Sequence, residues 1–396
     1  MTASPRIAFF PDSFGQADGV SVFAREFEAY ARRHALPWLV VYAGEQTAAQ
    51  PEGPVARLAL PRGAASFALD PAHHFDLLFT RYLQQVTARV QAFHPDLIQI
   101  TGPGDAGILG AMVAHRLSVP LVAFWQTDLP RYAGLRTARI LSWLPGPLRE
   151  RTAALSVHCS RWAVARYYRL PRLIFAPNPD LIAEVAAGNV PCHLLAHGVD
   201  TTLFDPSRRD RQDERIIIGY VGRLAAEKSV RALARLEADL LAAGHKNFCF
   251  SIVGDGPEQP WLQANLRHAE FHGVLHGEEL ARAFANMDVF AFPSRTDTYG
   301  LVVLEALASG VPAVVTDAGG PRHTVQHGKT GYITRTSEDF SQALQLLLSS
   351  PPTLAAMRRA AREYARQHTW DRAFDQLYAG YETFLWGSPA IAATAD

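Results

Sequence analysis

The chain has 396 residues, 48% of them hydrophobic and 19% charged, and its 38 basic side chains balance its 38 acidic ones. This length is too great for one ordinary core and predicts two domains of a soluble globular protein, while zero net charge gives no argument for a nucleic-acid partner. The three cysteines are far apart and form no CxxC pair, which favours a reducing cytoplasm over a disulfide framework or a zinc site.

The first strand-like run starts at Ile7, with no basic leader before it. No stretch of about 20 residues is apolar enough to span a bilayer. The sequence therefore predicts a cytoplasmic protein, with a peripheral position at the inner face of the membrane as the other location considered.

Short apolar runs alternate with amphipathic segments in the first half of the chain. The amphipathic segments, predicted helices, include 19–33, 79–93 and 105–117. The predicted strands are, in chain order, IAFF (7–10), WLVVYA (38–43), DLIQI (96–100), PLVAFW (120–125), ALSVHC (154–159) and CHLLAHG (192–198). This alternation predicts a parallel sheet with helices on both faces.

The segment 201–215 interrupts this rhythm with proline and charged residues and is predicted to be a linker. The alternation then restarts with IIIGYVG (216–222), a helix near 229–244, NFCFSIVG (247–254), VFAF (289–292), a helix from about 300 and PAVVT (312–316). The architecture predicted is α/β, with two Rossmann-like domains facing each other across a cleft.

The predicted domains are 1–205 and 206–371, followed by a disordered tail over 387–396. A C-terminal helix over about 372–386 can pack back on the first domain. Ligands of such sheets bind at the carboxyl ends of the strands, so the loops there are the places to look for function.

One such loop lies in SRTDTYGLVVLEALASG (294–310), which sets Asp297 before a glycine and Glu305 inside an apolar run. The predicted helix N-terminus at Gly300 suits a phosphate. Glu305 lies roughly 8 Å along by helical rise, a separation that suits a nucleotide. The alternative is an ordinary helix with a solvated Glu305.

A second loop lies in GYVGRLAAEKSV (219–230), where Arg223 and Lys228 follow a strand that ends in glycine. Two cations there can neutralise a pyrophosphate, although a solvated helix start is the alternative. Glu227 between them either orients Lys228 or faces solvent.

The remaining glycine turns are weaker signals. PDSFGQADGVSV (11–22) carries Gly15 and Gly19 before a helix without matching GxGxxG, and VGDGP (253–257) is equally well a structural turn. No Asp-Xaa-Asp, GxSxG or P-loop motif occurs, and His73–His74 is read as a solvated loop.

Taken together, HGVDTTLFDP, GRLAAEKSV, VGDGPE and PSRTDTYGLVVLEALASGVPAVVTDAGG resemble the retaining glycosyltransferases of family 4. The resemblance runs from the first strand to about Trp386 and is nearest in look to bacterial mannosyl- and glycolipid-forming transferases. It implies the GT-B fold, a UDP- or GDP-hexose donor, a glycan or lipid acceptor, and no cofactor or metal.

The resemblance also implies roles for single residues. The family's E-x7-E motif falls on Asp297 and Glu305, so Asp297 would contact hydroxyls of the transferred sugar and Glu305 the ribose hydroxyls. Arg223 and Lys228 would stabilise the departing diphosphate, and Gly19 falls on the glycine loop beneath the donor phosphates. Further donor contacts are expected at Thr298, Tyr299, Gly300 and Leu301, the last three through backbone amides.

Two residues depart from the family pattern. Asp297 replaces the usual Glu, and Gln126 stands where a His is common near the reacting sugar. Gln126 can donate or accept a hydrogen bond but cannot carry a proton or a charge. The segment 172–198 also looks longer than the usual link into the GVD motif.

The expected reaction needs no side-chain base, because a phosphate oxygen of the leaving group can take the acceptor's proton on the same face, which gives retention. A nucleotide-sugar epimerase of the same fold and a non-catalytic nucleotide-sugar-binding partner protein are the rival readings.

The segment between Pro130 and Arg172 holds nine arginines and one acid, Glu150, interleaved with aromatic residues. This suits an anionic membrane surface, and points to a lipid or lipid-linked acceptor. Pairing of these arginines with acids on neighbouring helices is the alternative. The residues named for acceptor or membrane contact are Arg136, Arg139, Trp143 and Arg149.

Overall fold

The computed structural model describes residues 4–15, 18–68, 74–126, 137, 141, 143, 145–186 and 190–387. The chain divides into two compact units, Met1–Ala196 with Trp370–Asp396, and His197–Thr369. The boundaries predicted from the sequence, after residues 205 and 371, lie nine and two residues later. The tail expected over 387–396 lies outside the described residues except for Gly387.

The first unit contains an eight-stranded sheet in the order β10-β9-β8-β7-β1-β2-β4-β3, parallel except for the pair β3–β4. Its strands are β1 (Ile7–Phe10), β2 (Trp38–Gly44), β3 (Ala48–Glu52), β4 (Val55–Pro61), β7 (Leu97–Ile100), β8 (Leu121–Phe124), β9 (Leu173–Ala176) and β10 (Cys192–Leu194). A separate hairpin pairs β5 (Ser66–Ala68) with β6 (His74–Asp76). Four central strands are buried along their whole length, as the apolar runs predict.

The described helices of this part of the chain are α1 (Gly19–Arg33), α2 (Leu83–Phe93), α3 (Asp105–Leu117), α4 (Gly146–Tyr167) and α5 (Pro179–Ala186). The predicted strand ALSVHC (154–159) is wrong, because these residues lie inside α4. The error has a physical cause: a short apolar run fits a buried strand and a helix equally well. Of the segment CHLLAHG only the first three residues form a strand.

The second unit has a six-stranded parallel sheet in the order β13-β12-β11-β14-β15-β16. Its strands are β11 (Ile216–Val221), β12 (Phe248–Val253), β13 (Ala269–Gly273), β14 (Val289–Phe292), β15 (Ala313–Thr316) and β16 (Gly331–Thr334). Its described helices are α6 (Ala232–Ala242), α7 (Gln259–Asn265), α8 (Gly277–Ala285), α9 (Leu301–Ala308), α10 (Ser337–Ser349) and α11 (Pro351–Arg366).

The last helix, α12 (Trp370–Trp386), belongs to the first unit. Phe374 stacks on Phe27 of α1 with ring centroids 5.0 Å apart and an interplanar angle of 12°. The buried hydroxyl of Tyr381 donates to the side-chain oxygen of Gln99 on β7 at 3.0 Å. Aromatic packing and a satisfied buried polar pair therefore hold this helix in place.

The segment 201–215 makes hydrogen bonds and ion pairs within the second unit and is not a free linker. The Arg362 guanidinium donates to the carbonyl oxygen of Phe204 at 2.8 Å and pairs with Asp205. The carboxylate of Asp288 pairs with two arginines of the segment, Arg209 and Arg211, at 2.8 and 2.7 Å. These contacts explain why the unit begins before the predicted boundary.

Candidate active site

The two motif loops follow neighbouring strands of the second sheet. The segment 222–228 follows β11, the segment 294–300 follows β14, and these strands pair directly. Parallel strands end at one edge of a sheet, which is where open α/β sheets bind ligands. The structure thus brings the residues of both motifs together at one edge.

Each cation of the first loop contacts a carboxylate. Arg223 Nη2 lies 2.5 Å from Glu227 Oε1, so Glu227 pairs with Arg223 and not with Lys228. The ammonium group of Lys228 donates to Asp297 Oδ1, and these two side chains are only 15% and 16% exposed. A charge this far removed from water needs a partner, which makes the Lys228–Asp297 pair the electrostatic centre of the site.

The second oxygen of Asp297 adds an acceptor that a ligand can use. Oδ2 is buried and accepts no hydrogen bond from any residue that the structure describes. A buried acceptor left in this state raises the free energy of the folded chain. A hydroxyl group of a ligand would satisfy it.

Gly300 sets the start of α9. Its φ of +81° is a left-handed conformation that suits glycine. A Cβ at this position would also lie 2.9 Å from the Pro321 ring. The N–H of Val303 donates to the Gly300 carbonyl at 2.9 Å, and the positive end of the helix dipole favours an anion beside the amides that precede it.

Two glycines after β15 let the next loop pack under the acidic motif. The N–H of Gly320 donates to the Asp297 carbonyl at 2.7 Å. A Cβ at Gly320 would lie 1.9 Å from the carbonyl of Thr298, and one at Gly319 would lie 2.7 Å from that of Asp297. Sequence reasoning gave this pair no role, although two adjacent glycines after a strand are a signal of close backbone approach.

Glu305 lies in the middle of α9 and is partly buried. Its carboxylate makes no hydrogen bond or ion pair with any described residue, and burial raises its pKa from 4.5 to about 7. The sequence offered a solvated Glu305 or one with a specific polar partner. Partial burial of the side chain excludes a fully solvated carboxylate, and the missing partner among the described residues leaves two acceptor oxygens for a ligand.

Thr298, Tyr299 and Leu301 flank this glycine turn. The ring of Tyr299 stacks on that of His197 at 4.1 Å with an interplanar angle of 20°. His197 is 6% exposed, and burial raises the pKa of the Tyr299 hydroxyl above its ordinary value. Sequence reasoning missed this contact, because nothing local relates residues so distant in the chain.

The glycine turn 253–257 supports the cation loop from behind. The N–H of Leu224 donates to the Asp255 carbonyl at 2.6 Å. A Cβ at Gly256 would lie 2.4 Å from the carbonyl of Leu224. These glycines permit close packing of one backbone on another, which is the structural role left open from the sequence.

Two predicted site residues belong to the first unit. Gln126 follows β8 and is 7% exposed. Gly19 is exposed as the first residue of α1, whose N-cap Asp18 accepts a hydrogen bond from the N–H of Ser21 at 2.8 Å. Gln126 thus lies just after β8 and Gly19 at the start of the helix that follows β1, and their roles stay predictions.

The arginine-rich segment is only partly described, and Arg136 and Arg139 lie outside the described residues. Trp143 is 75% exposed and Arg149 is half-buried on α4. Arg161 lies 3.7 Å from Glu184. Five others make no ion pair with any described residue: Arg149, Arg151, Arg166, Arg169 and Arg172.

The described residues contain neither a candidate metal site nor a membrane-spanning helix. No group of three or more His, Cys, Asp or Glu side chains is placed to hold a metal ion among these residues. No helix in the same part of the chain is long and apolar enough to cross a membrane.

Comparison with known proteins gives three findings. The family described as Glycosyl transferases group 1 matches residues 202–368. A GDP-mannose-dependent alpha-mannosyltransferase of Mycolicibacterium smegmatis is 35% identical over 310 residues, which are 75% of this chain and 76% of that protein. Solved structures are also similar, at much lower sequence identity.

Sucrose-phosphate synthase from Thermosynechococcus elongatus is 16% identical with a TM-score of 0.73, over 97% of this chain and 100% of that one. The Anabaena protein HepE, solved with UDP and glucose, is 16% identical with a TM-score of 0.66, over 96% of this chain and 100% of that one. At this identity they bear on the fold alone, and they confirm the α/β GT-B class predicted from the sequence.

Proposed function

The chain belongs to the glycosyl transferases of group 1, and from this we propose that it moves a hexose from a nucleotide-diphosphate sugar to an acceptor hydroxyl with retention and without a metal ion. The prediction of a glycosyltransferase is confirmed by the family. The observation that carries the finer proposal is the buried Lys228–Asp297 pair beside the N-terminus of α9.

The cations act on the leaving group. In this proposal Arg223 and Lys228 would stabilise the negative charge that grows on the diphosphate as the bond from the sugar carbon to the phosphate oxygen breaks. Charges held in place before the reaction need no reorganisation, and this kind of stabilisation is usually the largest single contribution to catalysis. The first amides of α9 supply further donors without a metal ion.

The two acidic residues bind hydroxyl groups. Ribose hydroxyls donating to Glu305 would stabilise its charged form and return its pKa toward 4.5. The buried Oδ2 of Asp297 would accept from a hydroxyl of the transferred hexose. Each interaction satisfies an acceptor that has no hydrogen-bond donor among the described residues.

Retention follows from attack on the face that the diphosphate leaves. The acceptor oxygen forms the new bond to the sugar carbon, the carbon–phosphate-oxygen bond breaks, and the acceptor's proton passes to a phosphate oxygen. Gln126 has no acid–base function at neutral pH, so its role here is a hydrogen bond to the sugar.

For the donor we take GDP-mannose first, because the alpha-mannosyltransferase relative is named for it. A UDP-hexose is the second candidate, motivated by the UDP complex of HepE. An epimerase or a non-catalytic binding protein fits the enzyme relatives less well, and both remain outcomes of the test.

For the acceptor we propose a lipid or lipid-linked glycan reached from an anionic membrane surface. Leu148, Leu155 and Trp162 recur every seven residues along α4, so they lie on one face, and they are 53%, 62% and 68% exposed. The five arginines that make no ion pair with a described residue lie on and just after the same helix. Exposed apolar groups beside cations are what anionic bilayers bind.

The test is to mix purified protein with GDP-mannose or UDP-glucose and octyl α-mannoside, which offers sugar hydroxyls on an alkyl chain. We expect GDP release that depends on acceptor, a new α-linkage by NMR, and equal rates with and without EDTA. A β-linked product, or EDTA inhibition reversed by Mg²⁺, contradicts the mechanism. Sugar inversion without acceptor indicates an epimerase, and binding alone a partner protein.

A further inference from the structure

Thr296 joins the two loops of the candidate active site through a hydrogen bond that neither sequence motif predicts. Its hydroxyl donates to the backbone carbonyl of Glu227 at 3.0 Å, across 69 positions of the chain. Thr296 is 8% exposed, so water competes little for this bond. We propose that Thr296 is a positioning residue for sugar transfer, whose hydroxyl sets the place of Lys228 relative to Asp297.

The proposal rests on the proposed function, because it concerns the same donor site. Thr296 comes directly before Asp297, and Glu227 comes directly before Lys228. Two links therefore run side by side between the loops, one charged and one neutral. A donor diphosphate competes for the ammonium of Lys228, but it has no hydrogen-bond donor for the Glu227 carbonyl, so we expect the neutral link to persist when the donor binds.

The acidic loop is the fixed side of this link. The carbonyl of Asp297 accepts from the N–H of Gly320 at 2.7 Å. Two residues before Thr296, the carbonyl of Ser294 accepts from the Thr316 hydroxyl at 2.9 Å. Hydrogen bonds to the backbone on both sides of Thr296 thus hold it in place, which makes its hydroxyl a fixed donor.

The cation loop is the side that needs the anchor. It is a three-residue 3-10 turn, Ala226–Lys228, and it ends at Ser229 with a φ of +55°, which residues other than glycine rarely adopt. The same Glu227 that accepts the bond also pairs with Arg223 at 2.5 Å. Fixing the Glu227 backbone therefore affects the placement of both cations.

The test compares Thr296→Val, which keeps the shape and loses the hydroxyl, with Thr296→Ser, which keeps the hydroxyl. A displaced catalytic group of this kind costs about 10- to 100-fold in rate, so we expect kcat of Thr296→Val to fall by about tenfold or more. Since the same cations bind the ground state less strongly than the transition state, the Kd of the free diphosphate should rise by only about threefold. Thr296→Ser should restore both values.

Thr334→Val is the matched control, because Thr334 is 5% exposed and donates to the carbonyl of Val315 at 3.0 Å without joining the motif loops. Normal kcat and normal diphosphate Kd in Thr296→Val overturn the proposal, as does an equal loss of kcat in Thr334→Val. If the wild-type protein transfers no sugar, the proposed function is wrong. The diphosphate Kd still tests Thr296 in that case, because an unchanged Kd in Thr296→Val refutes its positioning role.

Discussion

At the carboxyl edge of the second sheet, Arg223 and Lys228 each contact a carboxylate, whereas five of the six described arginines in the segment 149–172 make no ion pair with a described residue. The first pairs are partly or largely shielded from water, and the arginines of α4 are mostly solvent-exposed. Both regions are cationic in sequence, yet only the first neutralises its own charge.

This difference in ion pairing determines which ligands each region can recognise. Internally paired cations bind only a ligand that outcompetes the carboxylates at close range, which suits a diphosphate in a defined pose. Solvated, unpaired cations attract any anionic surface at long range, and salt screens them over about 8 Å at physiological ionic strength. The first region should therefore control the rate of a reaction, and the second the place where it happens.

The largest expected effect comes from removing the paired cations, which tests whether the first region controls the rate. Arg223→Ala and Lys228→Ala should each lower kcat by about 10²–10³-fold, because the lost contact is one that stabilises developing charge. Lys246→Ala is the control, since Lys246 is exposed and lies outside both motifs. Near-normal turnover in both variants would mean that the diphosphate is held elsewhere.

A second test is to remove the buried charge of Glu305. Its folded pKa of about 7 exceeds the unfolded value of 4.5, so the folded chain holds an extra proton between these pH values. Stability therefore falls as pH rises through this window, by at most about 3 kcal/mol. Glu305→Gln should match wild type near pH 4.5, melt higher above pH 7, and bind the nucleoside diphosphate more weakly.

Thermal melting at pH 4.5 and 7.5 and calorimetric titration with the diphosphate measure these effects. The exposed Glu279→Gln is the matched control. If the difference in melting temperature between Glu305→Gln and wild type does not change with pH, the Glu305 carboxylate does not cause the predicted pH dependence of stability. Unchanged diphosphate affinity would return Glu305 to the role of a surface residue.

The smallest effect per residue is expected at the arginine-rich surface. Each basic residue near an anionic bilayer contributes about 1 kcal/mol, so changing Arg136, Arg139 and Arg149 to Glu should strongly reduce co-sedimentation with anionic vesicles at low salt. Changing Arg116, Arg335 and Arg359 to Glu alters the net charge equally and is the control. Equal recovery of wild type with and without anionic lipid would favour a soluble acceptor.

Structural features that depend on residues close together in the sequence were predicted well. Buried parallel strands such as 289–292 follow from continuous apolar runs, and the unusual environment of Glu305 follows from its apolar neighbours. Prediction failed at 154–159, where the same kind of run lies within a helix. The Thr296–Glu227 bond and the Tyr299–His197 stack could not be predicted, because they join residues that only the folded chain brings together.

The attachment of segment 201–215 to the second unit has a consequence for recombination between related genes. In a hybrid joined at 205/206, Arg362 would come from one protein, while two of its partners, the Phe204 carbonyl and Asp205, would come from the other. A hybrid joined before His197 and after Thr369 would exchange the whole set together. The second unit is thus inherited most safely as one block.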